Sequence, residues 1–284
     1  MSASPRTITA MQVVHVRSWR EFLDQTERLE GWAFRGERFS RWPLLSSLSR
    51  RLIDYCPDAR LWPLREARAI RVFRRKAHVH LEHPEALQDA MRCLAMMQHH
   101  GAATRLLDFT KSPFVAAFFA LESAIEDAAV YALNTPALWR ATPDFDPRLN
   151  RDVIDPRRPG HFERYFLPNR LPVVWFGEPS EMDQRLVAQS GLFVVPGQLD
   201  APLNTLLAAY SMDDAPLLIQ LVLPLEVRYE ALRALYRMNL THATLMPDLD
   251  GLARSMNQEL EIVWDRLIDE FLEGEDDPLS TLQI

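Results

Sequence analysis

The sequence predicts an α+β fold in one domain, with a mixed or antiparallel sheet at its core and helices packed around it. The chain has 284 residues, which is enough to bury a large core. Hydrophobic residues make up 48% of it and charged residues 25%, an ordinary composition for a globular protein. Segments with helical spacing of apolar residues alternate with short apolar runs typical of strands. These three observations favour a compact domain with an elaborated middle.

The first third of the chain predicts a helix, a short strand and a longer helical region. Residues 17–30 carry apolar side chains at helical spacing with acids between them. Trp32–Phe34 predicts a short strand that ends at Arg35 and Gly36. The glycine would let the backbone turn sharply and leave the arginine at a strand end. Residues 64–98 predict helix, first arginine-rich and then amphipathic.

The rest of the chain mixes clear helix and strand patterns with one irregular segment. Ser112 followed by Pro113 predicts a helix start, with a hydroxyl at the N-cap and proline at the first position. Residues 135–180 are rich in proline, arginine and aspartate, which predicts a loop-rich insertion. Apolar patterns predict three strands, at 128–134, 192–196 and 217–223, and two helices, at 225–238 and about 252–272.

The segment from Gln98 to Pro113 concentrates polar groups between two apolar helical patterns. They are His99, His100, Arg105, Asp108 and Thr110. Buried polar groups persist only when they satisfy one another or a ligand, so the segment predicts a binding site. Asp108 is expected to orient Arg105 or His100 as an ion pair. The helix that begins at Ser112 would present free N–H groups to a phosphate or another anion.

Composition excludes several classes of protein. The net charge of −7 argues against broad neutralisation of duplex nucleic acid, although a local basic site is allowed. Cys56 and Cys93 are too few and too far apart for a disulfide scaffold or a zinc site. His78, His80 and His83 lack the spacing of a helical metal site, so no metal is predicted.

No stretch of the sequence predicts targeting to a membrane or to the secretory pathway. The first residues lack an apolar run behind their charge, and no window approaches the length of a spanning helix. We therefore expect a cytoplasmic protein of bacterial type, without a membrane partner.

Phe34-Arg35-Gly36 and the segment from Gln98 to Thr110 resemble the FRG domain family. That family is named for the tripeptide and carries a pattern close to Gln-His-x-Gly-x-x-Thr-Arg-Leu-Leu-Asp-x-Thr. Trp42–Arg50 is similar to a third family element, with Ser46 where the family has proline.

Two later elements extend the resemblance. One carries Arg-x-x-x-Gln-x-Gly-x-Phe at Arg185, Gln189, Gly191 and Phe193. The other is Thr244–Ala253, with Met246 where phenylalanine is commoner. The resemblance spans about residues 32–255 and implies a single FRG-type domain over residues 1–284.

The FRG layout is also similar to the ADP-ribosyltransferases, which implies a fold of that kind and NAD as substrate. Arg35 and Gly36 would bind the NAD ribose or pyrophosphate, Thr110 would line the nicotinamide pocket, and Gln189 would take the place of a later Glu or Gln. The resemblance thus implies Arg35, Thr110 and Gln189 as catalytic residues. The residues expected to contact NAD are Arg35, Gly36, His99, His100, Arg105, Asp108, Thr110 and Ser112.

Three functional hypotheses follow. The first is transfer of ADP-ribose to a protein or nucleic-acid acceptor in phage defence or a toxin system, although a neutral amide at Gln189 adds no charge to stabilise an oxocarbenium ion. The second is an NAD- or nucleotide-sensing module that binds without turnover. The third is a hydrolase or nuclease with His99 or His100 as general base. The acceptor, the activating signal and the oligomeric state do not follow from the sequence.

Overall fold

A computed structural model describes residues 11–211, 215–262 and 264 of the chain. Its centre is a mixed sheet of seven strands. In chain order they are β1 (Met11–His15), β2 (Ala33–Glu37), β3 (Leu107–Thr110), β4 (Ala128–Leu133), β5 (Val174–Gly177), β6 (Gly191–Pro196) and β7 (Leu218–Leu223). Their order across the sheet is β1-β7-β4-β2-β3-β6-β5. Strands β1 and β7 run parallel, and the other neighbours are antiparallel.

Helices flank this sheet and connect its strands. The α-helices are α1 (Trp19–Glu27), α2 (Ser47–Tyr55), α3 (Trp62–Ala77), α4 (Ala90–His99), α5 (Pro113–Leu121), α6 (Thr135–Arg140), α7 (Gln184–Ala188), α8 (Leu203–Leu207), α9 (Arg228–Arg237), α10 (His242–Leu245) and α11 (Leu249–Ile262). Shorter helical turns lie at Ala59–Leu61, His78–His80, Pro84–Gln88, Phe162–Phe166 and Leu225–Val227. No helix in the described part of the chain combines the length and apolarity needed to cross a membrane.

Helix α5 packs against the middle of the sheet through an unusually close contact with β2. A Cβ atom on Gly36 would lie 2.1 Å from the Ala116 carbonyl oxygen and 2.6 Å from the Ala120 nitrogen. Glycine is therefore required for close packing of the helix. Gly36 lies inside β2, which continues to Glu37, so the prediction of a sharp turn at this glycine is wrong.

Strands β2 and β3 separate in the middle of the sheet. They pair only at Phe34 and Thr110, whereas β2 pairs with β4 along its full length and β3 does so with β6. On either side of this position no backbone pairing joins β2 to β3. The split leaves Arg35 facing an opening, and its Nη1 donates to the Asp108 carbonyl oxygen at 2.9 Å.

The predicted core of sheet and helices is confirmed, with local differences. The three predicted strands correspond to β4, β6 and β7, and the helix predicted at 64–98 is divided into α3 and α4. The irregular segment 135–180 contains helix α6 and supplies β5, an edge strand of the sheet. The last helix begins at Leu249, and most of the stretch predicted beyond Ile262 lies outside the described residues.

Candidate active site

A cleft of about 340 Å³ opens where β2 and β3 diverge. We call it the split-sheet cleft. Strands β2 and β3 and helices α4, α5 and α7 contribute most of its walls, which combine apolar and polar side chains. The residues that line it are Phe34, Arg35, Gly36, Ala95, Gln98, His99, Asp108, Phe109, Thr110, Val115, Ala116, Phe119, Asp183, Arg185, Leu186, Gln189, Phe193 and Met246.

Arg35 is held in this cleft by a carboxylate behind it. Its Nε donates to Glu37 Oε1 at 2.9 Å, and Arg50 Nη1 lies 3.4 Å from the other carboxylate oxygen. Burial would raise the pKa of Glu37, but the charges and hydrogen bonds of Arg35 and Arg50 outweigh it and lower that pKa. Glu37 therefore stays ionised and fixes the Arg35 side chain in the split.

Asp108 places a carboxylate in the split-sheet cleft. Gln98 Nε2 donates to its Oδ1 at 2.6 Å, and its Oδ2 lies 3.9 Å from Arg35 Nη1. Although 58% of the side chain is accessible to water, the concave protein surface around it desolvates the carboxylate and raises its pKa against the opposing charge of Arg35. The structure thus pairs Asp108 with Gln98 and Arg35 instead of Arg105 or His100.

Thr110 and Gln189 join the end of β3 to the end of α7. The Thr110 hydroxyl donates to the Gln189 carbonyl oxygen at 2.6 Å and accepts from the Ser112 N–H at 3.0 Å. The Gln189 side chain donates from Nε2 to the Leu245 carbonyl oxygen at 2.9 Å. Both residues line the cleft, and these bonds also give each of them a structural role.

Two ion pairs border the cleft on the side of α7. His99 Nδ1 lies 3.0 Å from Asp183 Oδ2, and Asp183 Oδ1 also caps α7 by accepting from the Leu186 N–H. Arg185 pairs with Asp248 just before α11. These contacts tie α7 to α4 on one side and to the C-terminal helices on the other.

Three of the predicted contact residues lie outside the lining of the cleft. His100 follows α4 and faces solvent. Ser112 caps α5 by accepting from the Val115 N–H. Arg105 is fully buried, with its Nε 2.8 Å from Glu66 Oε1 and its Nη1 2.9 Å from the Pro196 carbonyl oxygen. We assign Arg105 a structural role for that reason.

Sequence reasoning missed several residues of the cleft. Leu186 lies in α7 and Asp183 caps it, and the five residues of this helix are too few to show helical periodicity. Phe109 and Phe119 belong to apolar patterns that look like ordinary core. The signal for Asp183 was its position as an acidic N-cap before a short apolar run.

The described residues contain no group of three or more His, Cys, Asp or Glu side chains that could hold a metal ion. The His99–Asp183 pair leaves an imidazole next to the cleft. The polar groups that line the cleft are therefore two guanidiniums, two carboxylates, two amides, the Thr110 hydroxyl and this imidazole.

The fold is that of a mixed α/β protein with a cleft in the split of its central sheet. The model of the FRG domain family matches residues 30–129, so this part of the chain is an FRG domain. No curated protein and no solved structure matches it. The match contains Arg35, Asp108 and Thr110, whereas the elements at Arg185–Phe193 and Thr244–Ala253 lie beyond it.

Proposed function

We propose that the split-sheet cleft binds NAD⁺ and that the protein cleaves the bond between nicotinamide and ribose, passing ADP-ribose to an acceptor. The proposal rests mainly on the meeting of three residues in one cleft. Arg35, Thr110 and Gln189, which the resemblance to ADP-ribosyltransferases implies as a set, lie far apart in the sequence and line one cleft.

The chemistry of the walls suits the nicotinamide end of NAD⁺. Phe119 supplies partly open aromatic surface, the nearly buried rings of Phe34, Phe109 and Phe193 lie behind the lining, and Asp108 supplies a negative charge. Aromatic faces together with a carboxylate favour a planar cation such as the nicotinamide ring. A volume of about 340 Å³ is at the lower end for small-molecule sites, which suits the nicotinamide and its ribose better than a whole dinucleotide.

The residues have distinct roles in this reaction. When the C–N bond breaks, nicotinamide leaves with the bonding electrons, and positive charge develops on the ribose. Asp108 stabilises that charge, which the neutral amide of Gln189 cannot do. Arg35 keeps further donors for a phosphate or ribose oxygen beyond its bonds to Glu37 and to the Asp108 carbonyl oxygen. An acceptor group then attacks the ribose carbon and loses its proton.

The proposal is tested by incubating the purified protein with NAD⁺ and measuring nicotinamide release. Asp108→Asn should lower kcat roughly 100-fold, the usual cost of removing one preorganised electrostatic group. Asp24→Asn on helix α1, outside the cleft, is the matched control and should behave as wild type. Circular dichroism checks that both variants remain folded. Equal release by Asp108→Asn and wild type would contradict the assigned role.

A second candidate is a module that binds NAD⁺ without turning it over. The Gln189 amide favours it, because this position is neutral and its nitrogen is already bonded to the Leu245 carbonyl oxygen. Calorimetric binding of NAD⁺ that Asp108→Asn weakens, without nicotinamide release from the wild type, would establish this second function.

A further inference from the structure

A second and larger cleft adjoins the first. Its volume is about 540 Å³. The residues of its lining that matter here are Trp32, Lys111, Trp139, Arg151, Arg157 and Phe176. We call it the Trp139 cleft. Phe34 lines both this cleft and the split-sheet cleft, so ligands in the two would be neighbours.

Trp139 forms a rigid and exposed aromatic surface in this cleft. The guanidinium carbon of Arg151 lies 3.8 Å from the centroid of its ring. Arg151 is itself fixed, because Nε and Nη2 donate to the Phe176 carbonyl oxygen at 3.2 and 3.0 Å. Yet 56% of Trp139 is accessible to water. An ordered indole with open surface is suited to stacking against a planar ligand.

The charges around the Trp139 cleft nearly balance. Arg157 forms a bidentate ion pair with Asp155, and Lys111 forms an ion pair with Glu178. Arg151 is only 11% exposed, and Asp152, a carboxylate near it, lies 3.9 Å from its Nη1. Its charge is thus the least compensated of the three. Glu30 adds another carboxylate to the lining. The cleft therefore offers an aromatic surface among paired charges instead of a basic patch for a phosphate backbone.

From these features we infer that the Trp139 cleft binds an unpaired nucleobase, stacked on the face of Trp139 that Arg151 does not cover. Base–aromatic stacking tolerates any base, because every base has a π-face. The base could belong to a single-stranded nucleic acid or to a free nucleotide such as the adenylate half of NAD⁺. The inference does not depend on NAD⁺ turnover.

Direct binding measurements test the inference. Fluorescence anisotropy follows a short fluorescein-labelled single-stranded oligonucleotide, and calorimetry follows adenosine monophosphate. For whichever ligand binds, Trp139→Ala should raise the Kd roughly 5- to 150-fold, the range typical of losing one base–aromatic stack. Trp139→Phe, which keeps a ring, should recover part of the affinity. Trp264→Ala removes another exposed indole outside this cleft and should have no effect.

The outcomes separate the sources of the base. Loss of oligonucleotide binding alone in Trp139→Ala identifies a base of a nucleic acid, and loss of adenosine monophosphate binding identifies a free nucleotide. The inference is overturned if the wild type binds neither ligand. It is also overturned if Trp139→Ala binds both ligands as tightly as the wild type. Nicotinamide release by the wild type is measured separately and decides only the proposed function.

Discussion

Gly36 lies where β2 and α5 approach most closely. Gly36→Ala would force backbone atoms of Ala116 and Ala120 apart, and we expect the free energy of unfolding to fall by about 1–3 kcal/mol, the usual cost of overpacking. Denaturant unfolding measures it. In Gly160→Ala the new Cβ meets no atom within 4 Å, so that variant should lose less, through its positive φ alone. Equal losses would contradict the packing role.

The buried carboxylate of Glu37 should make stability depend on pH. Its folded-state pKa lies below the value of 4.5 expected when unfolded, so its contribution is present above about that pH and is lost as the pH falls through the folded-state value. Glu37→Gln should therefore be less stable than wild type at neutral pH, with a gap that narrows in acid. Urea unfolding between neutral and acidic pH measures the gap. A gap of constant size would contradict the ionised role.

Asp108 should set the acid limb of catalysis. Because desolvation raises its pKa above the ordinary 3.8, protonation removes the charge at a higher pH than for an exposed aspartate. Nicotinamide release by the wild type should fall as the pH drops through that raised value, whereas the residual rate of Asp108→Asn should lack this limb. An identical limb in both proteins would assign it to another group.

At the residue scale, the sequence indicated which polar residues belong to the site better than it indicated their ion-pair and hydrogen-bond partners. The cleft is lined by three residues that the sequence suggested as ligand contacts, Arg35, Asp108 and Thr110. Gln189, which the resemblance implied as catalytic, lines it too. The partner of Arg105 was not predictable, because Glu66 lies 39 residues away in an arginine-rich helix and no short-range pattern links them. Ion pairs between distant elements are fixed only when the fold brings them together.

The pair of Arg105 and Glu66 attaches helix α3 to the chain that enters β3. Removing one partner of a buried pair typically costs about 3–5 kcal/mol, so Arg105→Ala should be strongly destabilised. Replacing both residues with apolar ones, as in Arg105→Met with Glu66→Leu, should recover most of that loss. Thermal unfolding of the single and double variants measures it. If Arg105→Ala stayed as stable as wild type but lost NAD⁺ binding, Arg105 would be a ligand-binding residue and not a structural one.

At the scale of elements, strong apolar patterns were predicted and short polar strands were not. Strands β4, β6 and β7 are nearly continuous apolar runs and are fully buried or nearly so. Strand β3 has only four residues, and Asp108 and Thr110 interrupt its apolar pattern. Those polar residues obscured the strand because they face the cleft, so the site itself weakened the signal.

At the scale of the whole molecule, the site depends on contacts between segments from both ends of the chain. Arg35 comes from β2, Gln189 from the end of α7, and Met246 from the turn after α10. The order of the strands brings these segments together, because β2 and β3 lie side by side and β6 follows β3. No sequence pattern predicted the split between β2 and β3. It exists because the two strands pair at only one position.

Calorimetric titration of NAD⁺ into the wild-type protein, Asp108→Asn and Asp24→Asn tests most directly whether the split-sheet cleft is an NAD⁺ site. We predict binding by the wild type and by Asp24→Asn, and clearly weaker binding by Asp108→Asn, because it lacks the negative charge that faces the nicotinamide cation. No binding by the wild type, or the same affinity in all three proteins, would contradict the assignment of NAD⁺ to this cleft.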